Sequence, residues 1–147
     1  MSAPHHAFVL AAGQSKRMRS KTPKVLHPCA GKALLRWSVD AAIAAGARPV
    51  VVLSPEVEGQ TRAILPPGTV VALQEEMRGT GDAVRVALAA VPDKDGDAFV
   101  IYGDTPTLSA ATLERLRALR AERGAVVAIL TAKVGTDNTY EIGRAHV

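Results

Sequence analysis

Phosphate chemistry is the first possibility that this sequence raises, in a stretch close to its start. The run Leu10–Gly13 follows an apolar segment, and Arg17 and the pair Pro23-Lys24 come next. Small residues at the end of a strand let backbone N–H groups approach a ligand closely, and such amides can form a nest for phosphate oxygens. Arg17 can fork two oxygens, while Lys24 acts as a point charge. The spacing therefore predicts a phosphate site, against the simpler alternative of an ordinary loop with surface cations.

A second polar loop, Gln74–Gly81, contains two glycines around Thr80. Gly79 and Gly81 allow a flat ligand to lie close to the backbone. The side chain of Gln74 offers a donor and an acceptor on one amide, which can match the edge of a nucleobase. The competing interpretation is a flexible turn in which Thr80 caps a helix.

A third loop, Tyr102-Gly103-Asp104-Thr105-Pro106, also follows an apolar segment. A single carboxylate such as Asp104 can hold Mg²⁺ when water and substrate phosphates fill its other positions. The alternative is an aspartate that only starts a turn.

Apolar and amphipathic segments alternate along the chain, and this alternation predicts how the three loops are positioned. The predicted strands are Ala7–Leu10, Pro49–Leu53, Val70–Leu73, Ala98–Tyr102 and Val126–Thr131, and the predicted helices are Lys32–Ala45, Glu58–Leu65, Gly81–Ala90 and one capped by Ser109 that runs to Arg123. Helical spacing places Leu35, Val39, Ala42 and Ile43 on one buried face, with Gly46 as the terminator, and Leu113, Leu116 and Leu119 on another. The pattern indicates one α/β domain with a mostly parallel sheet covered by helices on both faces. Because ligands of such sheets bind at the carboxyl ends of the strands, the three loops should meet at one edge.

Composition narrows the ligand class. Seven of the 18 basic residues precede Asp40, whereas no acidic residue does, so positive charge surrounds the first loop. Only 3% of the 147 residues are aromatic, and no nucleic-acid recognition motif is present, so an anionic small ligand is favoured over nucleic acid or a merely solvated basic face. Cys29 is alone, which excludes an internal disulfide and suits the cytoplasm, and no apolar run is long enough for membrane insertion.

Other chemistries find less support. The sequence lacks a Walker-type glycine loop, which argues against ATP hydrolysis of that kind, and it lacks the dinucleotide-binding fingerprint of dehydrogenases. His27-Pro28-Cys29 does not have the spacing of a zinc site.

The three loops together resemble a known family. Leu10-Ala11-Ala12-Gly13 with Arg17-Met18 and Pro23-Lys24-Val25-Leu26-His27 is similar to the signature of sugar-nucleotide pyrophosphorylases. With Gln74, Gly79-Thr80-Gly81 and Tyr102-Gly103-Asp104, the chain from Ala7 to Val134 resembles the N-terminal uridyltransferase domain of bacterial bifunctional N-acetylglucosamine-1-phosphate uridyltransferase/glucosamine-1-phosphate acetyltransferase. The resemblance implies a Rossmann-like nucleotidyltransferase fold and a cytoplasmic enzyme of cell-envelope precursor synthesis.

The implied reaction converts UTP and N-acetylglucosamine 1-phosphate to UDP-N-acetylglucosamine and pyrophosphate. By resemblance, Arg17 and Lys24 contact phosphates and are catalytic, and Asp104 binds Mg²⁺. The resemblance places the nucleotide and sugar against Leu10, Ala11, Ala12, Gly13, Gln74, Gly79, Thr80, Tyr102 and Gly103. Loops of this type also resemble those of CTP- or GTP-dependent nucleotidyltransferases of isoprenoid or molybdopterin synthesis, and a non-catalytic nucleotide-binding module is a further alternative.

The resemblance also bears on the end of the chain. Residues 1–140 correspond to the N-terminal part of the family's domain, whose remainder supplies most of the sugar pocket and a second metal ligand. We therefore expect the fragment itself to be inactive, and we expect the family's homotrimer to depend on a further C-terminal domain. Residues 141–147, EIGRAHV, are what a sequencing-adapter string encodes, so we expect them to be a tail foreign to the protein.

Overall fold

Apolar β-branched segments form the centre of the computed structural model, which describes residues 5–13 and 20–133. The strands are β1 (His6–Leu10), β2 (Pro28–Cys29), β3 (Lys32–Ala33), β4 (Arg48–Leu53), β5 (Val70–Leu73) and β6 (Ala98–Tyr102). The helices are α1 (Leu34–Ala44), α2 (Pro55–Arg62), α3 (Thr80–Ala89) and α4 (Ala110–Glu122), with a short 3-10 helix at Lys24–Leu26. Among the described residues, those up to Arg115 form one compact unit, and those from Leu116 to Lys133 form a second.

The first unit contains a parallel sheet of four strands in the order β5-β4-β1-β6. In the register of this sheet, Val9 of β1 lies between Val51 of β4 and Ile101 of β6. The chain runs outward from β1 to β4 and β5, and it then returns to place β6 on the other side of β1. This reversal makes a topological switch point between β1 and β6, the place where open parallel sheets bind ligands.

Each face of the sheet carries its own apolar core. Alternate strand residues, among them Val9, Val51 and Ile101, pack with Leu35 of α1 and Leu113 of α4. Strand residues on the opposite face of the sheet form a second core together with residues of α3. This core consists of Phe8, Ala12, Val50, Val52, Ala72, Ala83, Ala87 and Val91. Helices on both faces of a parallel sheet confirm the predicted fold class.

Four predicted strands are confirmed, two of them with unchanged bounds, but the fifth is wrong. Residues 126–131 form no strand in the described part of the chain. Four apolar side chains of that segment are 59–90% exposed: Val126, Val127, Ile129 and Leu130. An apolar run forms a strand only where the edge of a sheet pairs with its backbone and other residues cover its side chains. That condition is tertiary, so the local pattern could not test it.

The first predicted helix begins two residues later than expected. Lys32–Ala33 pairs with Pro28–Cys29 in an antiparallel hairpin, closed by Ala30 and Gly31 with φ values of 49° and 79°. Consecutive left-handed residues are typical of a two-residue hairpin turn. The predicted terminator Gly46 is confirmed, with φ of 75°.

The other helices differ by small shifts. The predicted helix Glu58–Leu65 instead runs from Pro55 to Arg62, because proline favours the first turn of a helix. The third helix starts at Thr80 rather than Gly81. Ser109 caps α4 as predicted, since its Oγ accepts a hydrogen bond from the Thr112 N–H at 3.2 Å.

Two predicted core positions are exposed. Ile43 of α1 is 44% exposed and Leu119 of α4 is 45% exposed. A helix has 3.6 residues per turn, so a spacing of three drifts steadily around its surface. Leu119 therefore lies well away from the face of buried Leu113. None of the helices in the described ranges combines the length and the apolarity that a bilayer crossing requires.

Candidate functional site

Backbone hydrogen bonds fix the start of each predicted loop to the carboxyl edge of the sheet. The Ala11 N–H donates to the Val52 carbonyl at 2.9 Å, and the Gly103 N–H donates to the Leu10 carbonyl at 2.9 Å. The Gln74 N–H donates to the carbonyl of Leu53 at 2.8 Å. These bonds extend the ladder by one residue beyond β1, β5 and β6. The three loops therefore leave the same edge, as the sequence predicts.

The switch point between β1 and β6 holds a cation beside a carboxylate. Lys24 Nζ lies 2.6 Å from Asp104 Oδ2, although 80 residues separate them. Pro23 leads into the 3-10 helix that carries Lys24, and Asp104 follows β6 by two residues. The side chains are 44% and 32% exposed, so both remain in contact with solvent. The structure thus brings together two groups that the sequence assigned separately to phosphate and to metal.

Gly103 makes the close approach between β1 and β6 possible. A Cβ on Gly103 would lie 2.9 Å from Ala11 Cβ, 2.9 Å from Leu35 Cδ1 and 3.3 Å from the Leu10 carbonyl oxygen. Carbon atoms in contact normally lie about 3.5–4.0 Å apart. Only glycine therefore fits here without displacing a neighbour, directly before Asp104 in the chain.

The last carbonyl of β6 is held by two hydroxyl groups that sequence reasoning missed. Ser38 Oγ and Thr105 Oγ1 each donate to the Tyr102 carbonyl at 2.9 Å. Ser38 is fully buried on the apolar face of α1. A serine on an otherwise apolar helical face was the available signal, because a buried hydroxyl needs a partner.

The loop after β5 is organised by the buried side chain of Gln74, which is only 2% exposed. Gln74 Nε2 donates to Asp82 Oδ2 at 2.8 Å and to the Gly79 carbonyl at 3.3 Å. Asp82 lies in the first turn of α3 and also accepts hydrogen bonds from Arg85. The hydrogen bond from Gln74, followed by that from Arg85, lowers the pKa of Asp82. Sequence reasoning did not single out Asp82, because nothing local links it to Gln74.

The remaining predicted residues divide by exposure. Ala11 and Ala12 are buried, Leu10 is half-buried, and Gly13, Gly79, Thr80 and Tyr102 are exposed. Thr80 opens α3 and does not cap it; Gly79 precedes the helix with φ of 96°. Arg17 and residues 141–147 lie outside the described residues.

A second charged cluster lies on α1 and its hairpin. Asp40 Oδ1 accepts from Arg36 Nε at 2.7 Å, and Asp40 Oδ2 accepts from Lys32 Nζ at the same distance. Lys32 Nζ also lies 3.9 Å from the centre of the Trp37 ring. Trp37 donates to the Cys29 carbonyl. These contacts tie the hairpin to the helix, so the cluster has a structural explanation.

Comparison with known proteins adds the family. The model of the MobA-like NTP transferase domain matches residues 7–144. The chain belongs to this family. A nucleotidyltransferase domain therefore accounts for the parallel sheet, its switch point and the three loops.

Similar proteins and solved structures agree with this family assignment. The Bifunctional protein GlmU of Maricaulis maris is 47% identical over 135 residues, which are 88% of this chain and 29% of that protein. The chain thus spans about three tenths of the length of such relatives. The crystal structure of Rv0371c from Mycobacterium tuberculosis has a TM-score of 0.67 and 32% identity, covering 81% of this chain and 61% of that one. A manganese complex of Rv0371c has a TM-score of 0.65 and 29% identity, covering 80% and 59% of the two chains.

Proposed function

We propose that this domain is a uridyltransferase, which joins UTP and N-acetylglucosamine 1-phosphate to give UDP-N-acetylglucosamine and pyrophosphate. The observation that carries the proposal is the Lys24–Asp104 pair at the switch point. Curated relatives named Bifunctional protein GlmU support this assignment and do not favour nucleotidyltransferases of the molybdopterin or isoprenoid type.

The sheet order suggests how a nucleoside triphosphate lies across the edge. Neighbouring strands are about 4.8 Å apart, so the loop after β5 is about 10 Å from that after β1. In the proposal, Gln74, Gly79 and Thr80 hold the uracil at β5. The loop from Leu10 to Gly13 receives the phosphates, and Tyr102 and Gly103 lie beside nucleotide and sugar.

Charge neutralisation is the main catalytic task. A sugar-phosphate oxygen attacks the α-phosphorus of UTP in line, the bond to the β-phosphate breaks, and pyrophosphate leaves with its electron pair. Two anionic phosphates must approach each other, and positioned cations offset their repulsion. We assign this role to Lys24 and Arg17.

The residues at the switch point fit a divalent metal ion. Magnesium is commonly held by one or two carboxylates together with substrate phosphates and water. Asp104 provides one solvent-accessible carboxylate, and no set of three or more metal-ligating side chains occurs among residues 5–13 and 20–133. When bound, such an ion polarises phosphoryl oxygens and offsets their charge. We propose Mg²⁺, held by Asp104, with Lys24 kept beside it for the phosphate.

We further propose that the domain belongs to a cytoplasmic enzyme of cell-wall precursor synthesis, which neither inserts into a membrane nor binds nucleic acid. We also propose that the longer protein forms a homotrimer through a further domain.

The direct test is pyrophosphate release from UTP and N-acetylglucosamine 1-phosphate by the full-length gene product. We expect UTP to be used in preference to CTP and GTP. Loss of a charge-stabilising group typically costs about 10²-fold in turnover, so Lys24→Met and Arg17→Ala should each cost that much. Lys32→Met is the matched control, because Lys32 belongs to the Asp40 cluster. Turnover with CTP or GTP alone would refute the uridyltransferase assignment, and binding of UTP without turnover would favour a non-catalytic module.

A further inference from the structure

The side-chain amide of Gln74 has a fixed direction. Its two partners, the Asp82 carboxylate and the Gly79 carbonyl, lie 2.8 Å and 3.3 Å from Nε2. A carbonyl and an ionised carboxylate can only accept hydrogen bonds. The NH₂ end of the amide must therefore face them, and the reversed amide would place its oxygen against two acceptors.

Asp82 stays an acceptor because its charge is stabilised. The hydrogen bond from Gln74, followed by that from Arg85, holds the pKa of Asp82 below its ordinary value. Arg85 Nη2 lies 2.7 Å from Asp82 Oδ1, whereas Gln74 bonds the other oxygen. Asp82 is also in the first turn of α3, where a negative charge is favourable. Its ionised form is therefore the one present at neutral pH.

The opposite end of the amide is then left for a ligand. Among the residues that the structure describes, none donates a hydrogen bond to Gln74 Oε1. Gln74 as a whole is only 2% exposed, yet Oε1 does not belong to the fully buried side-chain atoms that lack a partner among the described residues. An acceptor placed against this oxygen costs free energy, whereas a donor is favoured.

We propose that Asp82 is a positioning residue that makes Gln74 Oε1 a fixed acceptor for the nucleobase, so that the site selects uracil over cytosine. Uracil carries an N–H donor at N3, whereas N3 of cytosine is itself an acceptor. A freely rotating amide could serve both bases by turning its NH₂ end toward cytosine. The inference rests on the proposed function, because it takes the loop after β5 as the base site.

The test is the ratio of UTP to CTP affinities, measured by calorimetry with Mg²⁺ on the full-length gene product. In Asp82→Ala the amide loses its strongest partner, and we expect the preference for UTP to fall about tenfold or more. Part of this change should be tighter CTP binding, which a purely structural defect cannot produce. Arg85→Ala is the matched control: it removes the other partner of Asp82 but keeps the Gln74 bond, so the ratio should change less than about twofold.

The outcomes separate the two proposals. If Asp82→Ala weakens UTP and CTP equally, the positioning role is wrong and the uridyltransferase proposal stands. If the wild-type chain prefers CTP or binds no nucleoside triphosphate, both proposals fail. Where Asp82→Ala does not fold, Asp82→Asn keeps the side-chain volume and its amide can donate to Oε1. That variant should reduce the same ratio, and an unchanged ratio would overturn the inference.

Discussion

Replacing Gly103 by alanine tests whether the close approach of β6 to β1 positions the candidate site. The added Cβ would lie 2.9 Å from Ala11 Cβ and 2.9 Å from Leu35 Cδ1. Both contacts are about 0.6 Å or more shorter than ordinary carbon–carbon contact. Something must therefore move to accommodate a single methyl group.

The neighbours have little freedom to yield. Leu35 is fully buried, and Ala11 Cβ is attached to a backbone whose N–H bonds the Val52 carbonyl. The strain therefore falls on the segment that carries Asp104. Overpacking of this kind costs about 1–3 kcal/mol, so we expect Gly103→Ala to destabilise the chain by about 2 kcal/mol. A displacement of about 1 Å in a catalytic group can cost about 10²-fold in rate.

Urea unfolding measures the loss of stability, and pyrophosphate release by the full-length gene product measures the loss of rate. With a slope of about 2 kcal/mol/M, the midpoint should fall by about 1 M. Gly59→Ala is the matched control, because Gly59 lies in α2 and a Cβ there meets nothing within 4 Å. Alanine is favoured over glycine inside a helix, so that variant should gain about 0.5–1 kcal/mol. The combined Ala11→Gly and Gly103→Ala variant removes one of the two contacts and should recover part of the loss.

An unchanged urea midpoint in Gly103→Ala would refute the packing argument. Normal stability with slower pyrophosphate release would mean that the segment moves freely and that the site alone is affected. A midpoint lowered equally in Gly59→Ala would show that the effect is not specific to the strand junction.

Three further predictions concern stability. Partial burial raises the pKa of Asp40, but hydrogen bonds from its two basic partners outweigh burial and hold the pKa below its ordinary value. Such a group stabilises the fold above the unfolded pKa of about 3.9 and loses that contribution as pH falls through the folded pKa. Asp40→Asn should therefore cost up to about 1 kcal/mol at neutral pH, and this cost should shrink as the pH falls through the folded pKa. Urea unfolding measured across pH would contradict this if the difference between the two proteins did not shrink in acid. Ser109→Ala removes the cap on the Thr112 N–H and should lower the free energy of unfolding by about 1 kcal/mol. Thermal unfolding measures this loss, and unchanged stability would exclude a capping role. Gly46→Ala forces a residue with a Cβ to adopt a φ of 75° and should lower the free energy of unfolding by about 1–2 kcal/mol. An unchanged midpoint in the same assay would contradict this prediction.

Most of the sheet could be predicted from local sequence. Val70–Leu73 and Ala98–Tyr102 form strands within the predicted bounds. Both are short apolar runs between turn-forming residues, and such runs fit a sheet covered on both faces. The predicted start of the first helix at Lys32 was wrong because Lys32 and Ala33 belong to a hairpin. The predicted strand Val126–Thr131 was wrong because a strand needs a neighbouring edge with which to pair.

The sequence by itself determined the three chemistry-bearing loops and their meeting at one edge. Glycine, charge and apolar alternation act locally, and parallel strands then share their carboxyl ends. Only the tertiary structure decided that Lys24 contacts Asp104, that Gly103 has no room for a Cβ, and that Asp82 fixes the Gln74 amide. The physical reason is range: contacts of a few ångströms join segments 80 or more residues apart, and their geometry depends on how the strands and helices pack together.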